Sequence, residues 1–424
     1  MKTIKLSLFI LIASLFGACE QADTLDLVDP SEAIGEQEEP PSPLEMQWVT
    51  RMDFEEDVIT TDNVVHYKDW VVLGYDDDDR IPKVMAFNKL TGEREWDLSI
   101  PDIYNEQLIH AVLHDNIYIG RGLKSVYAID LDNQSLLWQE NLNAMGTRVG
   151  RITLASNGKV YVKADFSFGS AGQVLHIYEF DPHTGANRMV YSKPPDSTGI
   201  YSCSPPAIWF DEELDKEILI LNLYPDSFAP PEEGAQYLVG VDPDDRYTEL
   251  FSIPVVEKFS SNGGHPPLIY NNTVFTGGWD EMFCFDLVTK ERKWEYKLST
   301  NDPFASWSKT NHLLFNNKLY INETGINVTC LNPFNGIQIW NNPEGGPNST
   351  DNMVYYEKED LLVFTSWGYG SVMVLDGLTG QTIHREKEYE FSSFNNDVVY
   401  DEDLDMFFTC TYKHVMGFKI HKPD

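Results

Sequence analysis

The stretch Val84-Met85-Ala86-Phe87-Asn88-Lys89-Leu90-Thr91-Gly92-Glu93-Arg94-Glu95-Trp96 decides the fold. It is a short apolar run that ends in Asn, a turn with Thr-Gly, and a second run with Trp eight residues after the Asn. The Asn side chain can bond backbone amides in a tight turn and Gly supplies a position with φ > 0, so the stretch predicts a β-hairpin. The small Ala86 predicts a close approach of sheets, and Trp96 is large enough to fill a wedge between them.

The same pattern recurs along residues 46–424, which predicts a repeat architecture. Each copy has an apolar run, an Asp or Asn, and a Trp or its equivalent eight residues later. The Trp-equivalent positions are Trp48, Trp96, Trp138, Met189, Leu250, Trp294, Trp340 and His384. Two more strand-like runs precede each copy, such as 64–67 and 70–73. Four strands per period without helical periodicity predict a β-propeller.

The chain ends fix the number of blades. The last inner hairpin, residues 406–420, would have its Trp position at residue 427, beyond the end of the sequence. Residues 46–49 have the character of the missing strand. We therefore predict an all-β, eight-bladed propeller with four antiparallel strands per blade, in which the N-terminal strand completes the last blade and removes both free edges. A seven-bladed ring with a stray strand is the alternative.

The composition is strongly acidic. The chain has 67 Asp and Glu against 31 Lys and Arg, a formal charge of −36. Phosphate backbones and anionic membrane surfaces would be repelled, so nucleic acid is excluded as a partner. Residues 46–424 hold 58 of the acids and 29 of the bases, so the predicted propeller is itself acidic. Five cysteines make no disulfide scaffold.

The N-terminus predicts export and lipidation. Residues 1–18 combine two lysines with an apolar run, 6–16, that is too short to span a bilayer, as in a cleaved signal peptide. Small residues directly before Cys19 resemble a bacterial lipobox, although Phe16 stands where Leu is usual. We expect Cys19 to carry acyl chains such as palmitate and to become the first residue of the mature protein.

Residues 19–45 predict an acidic tether. Between residues 20 and 45 there are nine acids, four prolines and no Lys or Arg, a composition that cannot bury enough apolar surface to order itself. We expect the tether to hold the propeller off a bacterial outer membrane, with the membrane contacted through the lipid anchor only. Whether the propeller faces the periplasm or the cell surface stays open.

Segments of the type Ala-x-Asp-x-x-Thr-Gly-x-x-x-Trp make residues 46–424 similar to the PQQ-like (quinoprotein-type) propeller repeat family. In size and anchoring the chain resembles the lipid-anchored propeller subunit of the outer-membrane barrel-assembly machinery. The resemblance implies the fold; a function needs a site of its own. Quinoprotein dehydrogenases of the family carry an adjacent Cys pair and Ca²⁺-binding acids. This chain has no adjacent cysteines, so we expect no PQQ and no enzyme activity.

Residue patterns for chemistry are sparse, and no catalytic residue is predicted. Asp76, Asp77, Asp78 and Asp79 could hold Ca²⁺, but they lack the spaced calcium-loop pattern and favour a solvated acidic turn. His110 and His114 are four residues apart, with a strand and turn expected between them. Neither H-E-x-x-H nor G-x-S-x-G occurs.

The cysteines of the propeller are expected to be free thiols. Cys284 and Cys330 occupy the small-residue position of successive blades and favour burial, too far apart for a disulfide. Cys203 is predicted to lie in a loop and Cys410 in a strand. No C-x-x-C spacing for a metal occurs.

The remaining candidate is a binding surface. Loops that enter each blade, and loops between its middle strands, should converge on one face of the ring. Its candidate binding residues are Arg148, Arg151, Tyr201, His265, Trp279, Trp307, Lys309, Trp367 and Tyr369. The basic ones would form a positive mouth for an anion, and the aromatic ones would be platforms for sugar rings or anchors for a partner. The alternative for each aromatic is that it fills a gap between blades.

The first hypothesis is therefore a non-catalytic, lipid-anchored propeller that binds an envelope protein or peptide, as a monomer or as a subunit of a hetero-complex. A surface lipoprotein that captures glycans is the second hypothesis. A quinoprotein-like enzyme is the third.

Overall fold

The computed structural model describes residues 42–52, 63–76, 82–101, 110–122, 124–142, 147–155, 157–166, 174–194, 201–225, 235–245, 248–256, 266–277, 281–297, 312–322, 327–344, 353–366, 370–385, 397–411 and 413–422. They fall in one compact unit, Ser42–Asp424. The first strand begins at Leu44, two residues before the predicted start of the propeller.

The described residues form strands and turns, with no α-helix among them. No helix in this part of the chain is long and apolar enough to cross a membrane. In chain order the strands are β1 (Leu44–Arg51), β2 (Val65–Tyr67), β3 (Trp70–Asp76), β4 (Pro82–Asn88), β5 (Arg94–Ser99), β6 (His110–His114), β7 (Ile117–Arg121), β8 (Ser125–Asp130), β9 (Ser135–Asn141), β10 (Thr147–Leu154), β11 (Val160–Phe166), β12 (Leu175–Phe180), β13 (Asn187–Lys193), β14 (Tyr201–Cys203), β15 (Ala207–Asp211), β16 (Lys216–Pro225), β17 (Gln236–Val241), β18 (Glu249–Val256), β19 (Leu268–Tyr270), β20 (Thr273–Gly277), β21 (Glu281–Asp286), β22 (Arg292–Lys297), β23 (His312–Phe315), β24 (Lys318–Asn322), β25 (Val328–Leu331), β26 (Gln338–Asn342), β27 (Val354–Tyr356), β28 (Leu361–Ser366), β29 (Ser371–Asp376), β30 (Thr382–His384), β31 (Val399–Asp401), β32 (Met406–Cys410) and β33 (His414–Ile420).

These strands form eight antiparallel sheets, which are the blades of a propeller. Blades 1 to 7 are β2–β5, β6–β9, β10–β13, β14–β18, β19–β22, β23–β26 and β27–β30, and blade 8 is β31–β33 with β1. Blade 4 has its first strand in two pieces, because β14 and β15 both pair with β16. The first strands of adjacent blades pack together, as β6 does with β10, so the sheets form a ring. The predicted eight-bladed propeller is confirmed.

The N-terminal strand closes the ring, as predicted. β1 pairs with β33 in a register that sets Leu44 opposite Ile420 and Trp48 opposite Gly417. Backbone bonds seal both ends of this pairing: Met52 N donates to Lys413 O, and His421 N donates to Pro43 O, each at 2.8 Å. Blade 8 is thereby built from both ends of the chain.

The hydrophobic core is divided among the junctions between blades. The described residues form eight buried clusters, and each cluster draws its residues from two adjacent blades. At the junction of blades 8 and 1, for example, Trp48 and Phe408 pack with Val71 and Phe87. Stability therefore depends on how well each blade fits the next one.

The predicted turn chemistry is present. In blade 7, Asp376 Oδ1 accepts bonds from Leu378 N at 3.0 Å and from Thr379 N at 2.8 Å. Gly380 then adopts φ +77 and donates its N–H to Asp376 O at 2.7 Å. The Asp side chain satisfies turn amides, and Gly takes the left-handed position without a steric penalty.

The predicted role of the Trp is also confirmed at four junctions. Trp48, Trp138, Trp294 and Trp340 each lie against the turn Gly of the next blade, which is Gly92, Gly185, Gly336 and Gly380 respectively. A Cβ on Gly185 would lie 2.7 Å from Trp138 Cδ2. The indole N–H also bonds across the junction, since Trp138 Nε1 donates to Pro182 O at 2.8 Å.

Two details of the repeat differ from the predictions. The small residue before the Asp lies opposite the aromatic of its own blade: Ala86 pairs with Trp96, and Cys284 pairs with Trp294. The close approach is therefore within one sheet. In blade 4 the aromatic is Phe251, which pairs with Gly240, and not Leu250, because Leu250 takes the bulge position.

Cys203 lies in β14 and not in a loop. Cys284, Cys330 and Cys410, like Cys203, are buried and form no disulfide. Burial raises the pKa of Cys284 and of Cys330 to about 12.

Candidate functional site

The antiparallel order of each blade gives the ring two distinct faces. Turns between the first and second strands, and between the third and fourth, lie at one end of every blade, here called the turn face. The other connections lie at the opposite end, here called the loop face. The described residues cover the turns far better than the loops.

Most of the predicted binding residues lie outside the described residues. These are Cys19, His265, Trp279, Trp307, Lys309, Trp367, Tyr369, Asp77, Asp78 and Asp79. For Arg148 in β10 and Asp76 in β3 the backbone alone is described. Their proposed roles stay predictions. Among the described residues there is no group of three or more His, Cys, Asp or Glu that could hold a metal ion.

Tyr201 and Arg151 are the two predicted residues whose side chains are described. Tyr201 begins β14 and is buried in the cluster between blades 3 and 4, with Lys193 Nζ 5.7 Å from its ring centre. It therefore packs in the way that fills a gap between blades. Arg151 lies half-buried in β10, the first strand of blade 3.

Arg151 belongs to a basic cluster at the inner edge of blades 2 and 3. His110, the first residue of β6, lies directly opposite Arg121 of β7. Arg121 is 7% exposed, and its Nη1 donates to Val149 O of β10 at 2.6 Å. Burial lowers the pKa of His110 well below its usual value, and the positive charges of Arg151 and Arg121 lower it further. We call His110, Arg121 and Arg151 the basic cluster.

His110 and Arg121 were not predicted from the sequence. The sequence placed a turn between His110 and His114, whereas both stand on one strand, β6. Only the pairing of β6 with β7 sets His110 beside an arginine, and a single strand carries no signal of that register.

A polar cleft of about 470 Å³ lies on the turn face between blades 2 and 3. Glu179 is its centre: Arg188 donates Nε to Oε1 at 3.0 Å and Nη2 to Oε2 at 2.9 Å. Tyr161 donates to the same carboxylate at 3.1 Å, and Lys159 lies 3.3 Å away. Burial raises the pKa of Glu179, but these partners outweigh it and hold the pKa below its usual value. The Glu179 carboxylate is thus paired with Arg188 and Lys159 inside the cleft itself.

Exposed apolar side chains mark a second part of the turn face. The residue two positions after the turn Asp or Asn points outward and is apolar in three successive blades. The apolar arc consists of Val288, Phe334, Ile337, Ile339 and Leu378, in blades 5, 6 and 7. Phe334 is 61% exposed and Ile337 63%, while Val288 and Leu378 are 52% and 47% exposed. Such a group of exposed apolar side chains is typical of an interaction site.

The turns that carry the apolar arc are held from both sides. Asn332 Oδ1 accepts from Phe334 N at 2.9 Å, and Trp294 Nε1 of blade 5 donates to Pro333 O at 2.8 Å. Tyr296 OH bonds Gln338 Oε1 across the same junction at 2.7 Å. The arc is therefore fixed in shape before any partner binds, which lowers the entropy cost of binding. The aligned repeats carry this signal, because the residue two after the turn Asp or Asn is apolar in each of blades 5, 6 and 7.

Charged side chains border the arc on blade 5. Arg292 and Lys293 of β22 directly precede Trp294, with Arg292 Nη1 3.0 Å from Glu295 Oε2 and Lys293 Nζ 3.8 Å from Asp286 Oδ2. An apolar centre with a charged rim is the usual make-up of a protein–protein interface.

The ring of eight blades, with Trp packed on a turn Gly at four of the junctions between them, defines an eight-bladed β-propeller. The chain resembles the PQQ-like propeller family represented by BamB: residues 248–418 match the family model described as outer membrane protein assembly factor BamB. This segment runs from the end of blade 4 to the last strand and includes the whole apolar arc.

Solved structures support the fold. BamB from Moraxella catarrhalis is 12% identical, with a TM-score of 0.56 over 89% of this chain and 100% of that chain. A europium-containing methanol dehydrogenase is 9% identical, with a TM-score of 0.62 over 89% of this chain and 94% of that chain. Sqt1 from Saccharomyces cerevisiae is 11% identical, with a TM-score of 0.59 over 89% and 99%. No curated protein matches the chain. At these identities the likeness concerns the fold, which carries an enzyme as well as an assembly factor.

Proposed function

We propose that this protein is a non-catalytic, lipid-anchored scaffold of the bacterial outer membrane that binds another envelope protein through the apolar arc. The observation that carries the proposal is the run of exposed apolar side chains on rigid turns of three successive blades. Burial of an exposed Phe or Ile side chain under a partner stabilises the complex by about 1.5–3 kcal/mol for each fully buried side chain.

Two further observations support this function. The family model for an outer membrane protein assembly factor matches the segment that bears the arc. The sequence before the propeller has the features of a lipoprotein signal with Cys19 as the lipidated residue. An assembly role within a hetero-complex agrees with both.

The test is binding in the native envelope with matched surface variants. Phe334→Ser with Ile337→Ser should reduce co-purification of the partner about 100-fold, because two central apolar anchors are lost. Leu90→Ser is the control: Leu90 has the same turn position in blade 1 and is 65% exposed, but blade 8 separates it from the arc. A crosslinker at position 334 should capture the partner that the double variant loses.

Equal loss in the control and the double variant, or no loss in either, would contradict the proposal. Glycan-array binding that survives the double variant would support the glycan hypothesis instead. A titration with PQQ that stabilises the protein and changes the absorbance spectrum would support the enzyme hypothesis. Cys19→Ala should release the protein from the membrane fraction while the purified protein still binds its partner.

A further inference from the structure

Blade 6 differs from the other blades in its outermost strand. β26 is the last strand in the sheet order β23-β24-β25-β26, and the described residues place no further strand on its outer side. Such an edge presents a row of backbone N–H and C=O groups that a second chain can pair with. Natural proteins protect exposed edges with charged side chains, with Pro or by keeping the strand very short. The composition of the outermost strands therefore shows which edges are protected.

β26 lacks each of these protections. Its five residues, Gln338–Asn342, include no Asp, Glu, Lys, Arg or Pro. The outermost strand of blade 7 is only three residues long, and those of the other six blades each carry at least one charged residue. These charged strands are β1, β5, β9, β13, β18 and β22. Among the outermost strands that the structure describes, β26 is therefore the one longer than three residues whose edge is unprotected.

The unprotected edge is continuous with the apolar arc. In blades 1, 3 and 5 the residue directly before the Trp-equivalent position is charged, as Glu95, Arg188 and Lys293. In blade 6 the same position holds Ile339, which is 47% exposed, and Ile337 two residues earlier is 63% exposed. A strand laid along β26 would cover both side chains and pair with the backbone at the same time.

β26 is held in its extended conformation by both neighbouring blades. On one side, Tyr296 OH of blade 5 donates to Gln338 Oε1 at 2.7 Å. On the other side, Asn342 Nδ2 donates to Gly380 O of blade 7 at 2.6 Å, and Trp340 packs on the same glycine. The edge is thus in place before a partner arrives, so pairing requires little ordering of this chain.

We propose that the envelope partner binds by adding an extended segment of its own chain to the edge of β26, as a fifth strand of blade 6. This inference rests on the proposed function and specifies the partner: it has an uncharged segment with apolar residues at alternate positions. Backbone hydrogen bonds to β26 supply affinity, and the alternate side chains meet Ile337 and Ile339. A charged residue at those positions would lose its water against the Ile side chains without gaining a partner charge.

The experiment measures amide hydrogen exchange in the full chain, alone and in the complex that co-purifies from membranes. Mass spectrometry with fragmentation resolves the single amides of residues 338–342. The amides of β26 that exchange fast in the free protein should slow about ten-fold or more in the complex, because each gains a hydrogen bond to the added strand. The amides of β9, the outermost strand of blade 2, are the internal control and should keep their rates.

Ile339→Lys is the matched binding variant, because it places on β26 the kind of charge that protects the other edges. It should reduce co-purification of the partner about ten-fold or more. Leu137→Lys is its control: Leu137 precedes Trp138 in β9 as Ile339 precedes Trp340 in β26, and it is 41% exposed. This control should bind the partner as the wild type does.

The outcomes separate strand addition from the proposed function. A complex that Phe334→Ser with Ile337→Ser abolishes, but in which the β26 amides keep their free rates, would overturn strand addition and leave the scaffold function standing. Equal losses in Ile339→Lys and Leu137→Lys would also overturn strand addition. Partner binding that survives the double variant with unchanged β26 amides, or the absence of any co-purifying protein, would overturn both.

Discussion

Two junctions of the ring solve the same packing problem with different residues. Between blades 6 and 7, Trp340 lies on Gly380, whose Cβ would come 2.5 Å from Trp340 Cε3. Between blades 4 and 5 the aromatic is Phe251, and the residue at the turn position is Lys290, with φ +65. Lys290 Nζ lies 3.8 Å from the centre of the Phe251 ring and 4.7 Å from that of Trp209.

The comparison shows what the turn glycine is for. Lys290 makes the same turn bond as Gly380, since its N–H donates to Asp286 O at 2.9 Å. A positive φ alone thus does not demand Gly; at Gly380 the demand comes from Trp340, which lies where a Cβ would be placed. Where the smaller Phe251 replaces that indole, the Lys290 side chain fits at the turn and packs over the phenyl ring of Phe251. Trp209 supplies an indole from the first strand of blade 4, with Nε1 bonded to Asn272 Oδ1 at 2.8 Å.

The largest effect is expected at the junction of blades 8 and 1, where a buried ion pair is added to the Trp–Gly contact. Lys89 bonds Asp401 across this junction, and its carbonyl accepts the Trp48 Nε1 bond at 2.7 Å. Lys89→Met should lower the free energy of unfolding by about 3–5 kcal/mol, because Asp401 is left buried without its charge partner. Urea unfolding measures the change.

Lys68→Met is the control, because Lys68 pairs with Asp132 between blades 1 and 2 at 2.5 Å but is solvent-exposed. It should cost less than about 1 kcal/mol. Burial raises the pKa of Asp401, yet the bond from Lys89 and the Leu404 amide hold it below its usual value. The stability that the pair adds is therefore present above about pH 3.9 and lost as the pH falls through the folded pKa. Similar losses in the two variants would show that burial of the pair is irrelevant.

The next largest effect should follow Gly380→Ala. The new Cβ adds a left-handed penalty and collides with Trp340, for a total of about 3 kcal/mol. Lys290→Ala at the equivalent turn position, where a Cβ is already present, should cost less than about 1 kcal/mol. Chemical denaturation of both variants decides the point: equal costs would mean that the turn, and not the neighbouring indole, requires Gly.

The fold could be predicted from the sequence because its determinants are local and repeated. An Asp or Asn, a turn and a Trp recur within 13 residues, and the chain ends supply the closure. The exception is blade 4, where a longer turn shifts the aromatic by one residue, from Leu250 to Phe251. A fixed spacing misses this shift, because the extra residue lies in the turn while the bulge before the aromatic is the same as in blade 1.

The candidate sites were less accessible to sequence reasoning. Arg151 was found, but His110 and Arg121 join it only through the pairing of β6, β7 and β10, which depends on long-range register. The apolar arc is different: the residues after Asp286, Asn332 and Asp376 already show it once the repeats are aligned. Whether they are exposed depends on the Asx-capped turn geometry, which the structure supplies.

A smaller effect on stability is expected when the Phe–Lys pair between blades 4 and 5 is replaced by the Trp–Gly pair of the other junction. Phe251→Trp should cost about 1–3 kcal/mol, because the larger ring overpacks against Lys290. Adding Lys290→Gly should recover most of that loss, so the two changes should be coupled by at least about 1 kcal/mol in a double-mutant cycle of unfolding free energies. Simple additivity would refute the idea that the aromatic and the turn residue are chosen together.

The smallest effect concerns the charge on Lys290. Burial lowers the pKa of Lys290, and Asp211, Asp286 and Glu213 offset this only in part. Between that folded pKa and the unfolded value of about 10.4, the unfolded chain binds more protons, so stability should rise with pH in this window. Lys290→Met abolishes this contribution to the pH dependence of the unfolding free energy. Lys297→Met, at an exposed lysine, is the control for the loss of one positive charge. Chemical denaturation at pH 8 and pH 10 measures the effect: the unfolding free energy of the wild type, relative to that of Lys290→Met, should be larger at pH 10. A loss instead would mean that attraction of the ammonium to the Phe251 and Trp209 rings outweighs its desolvation.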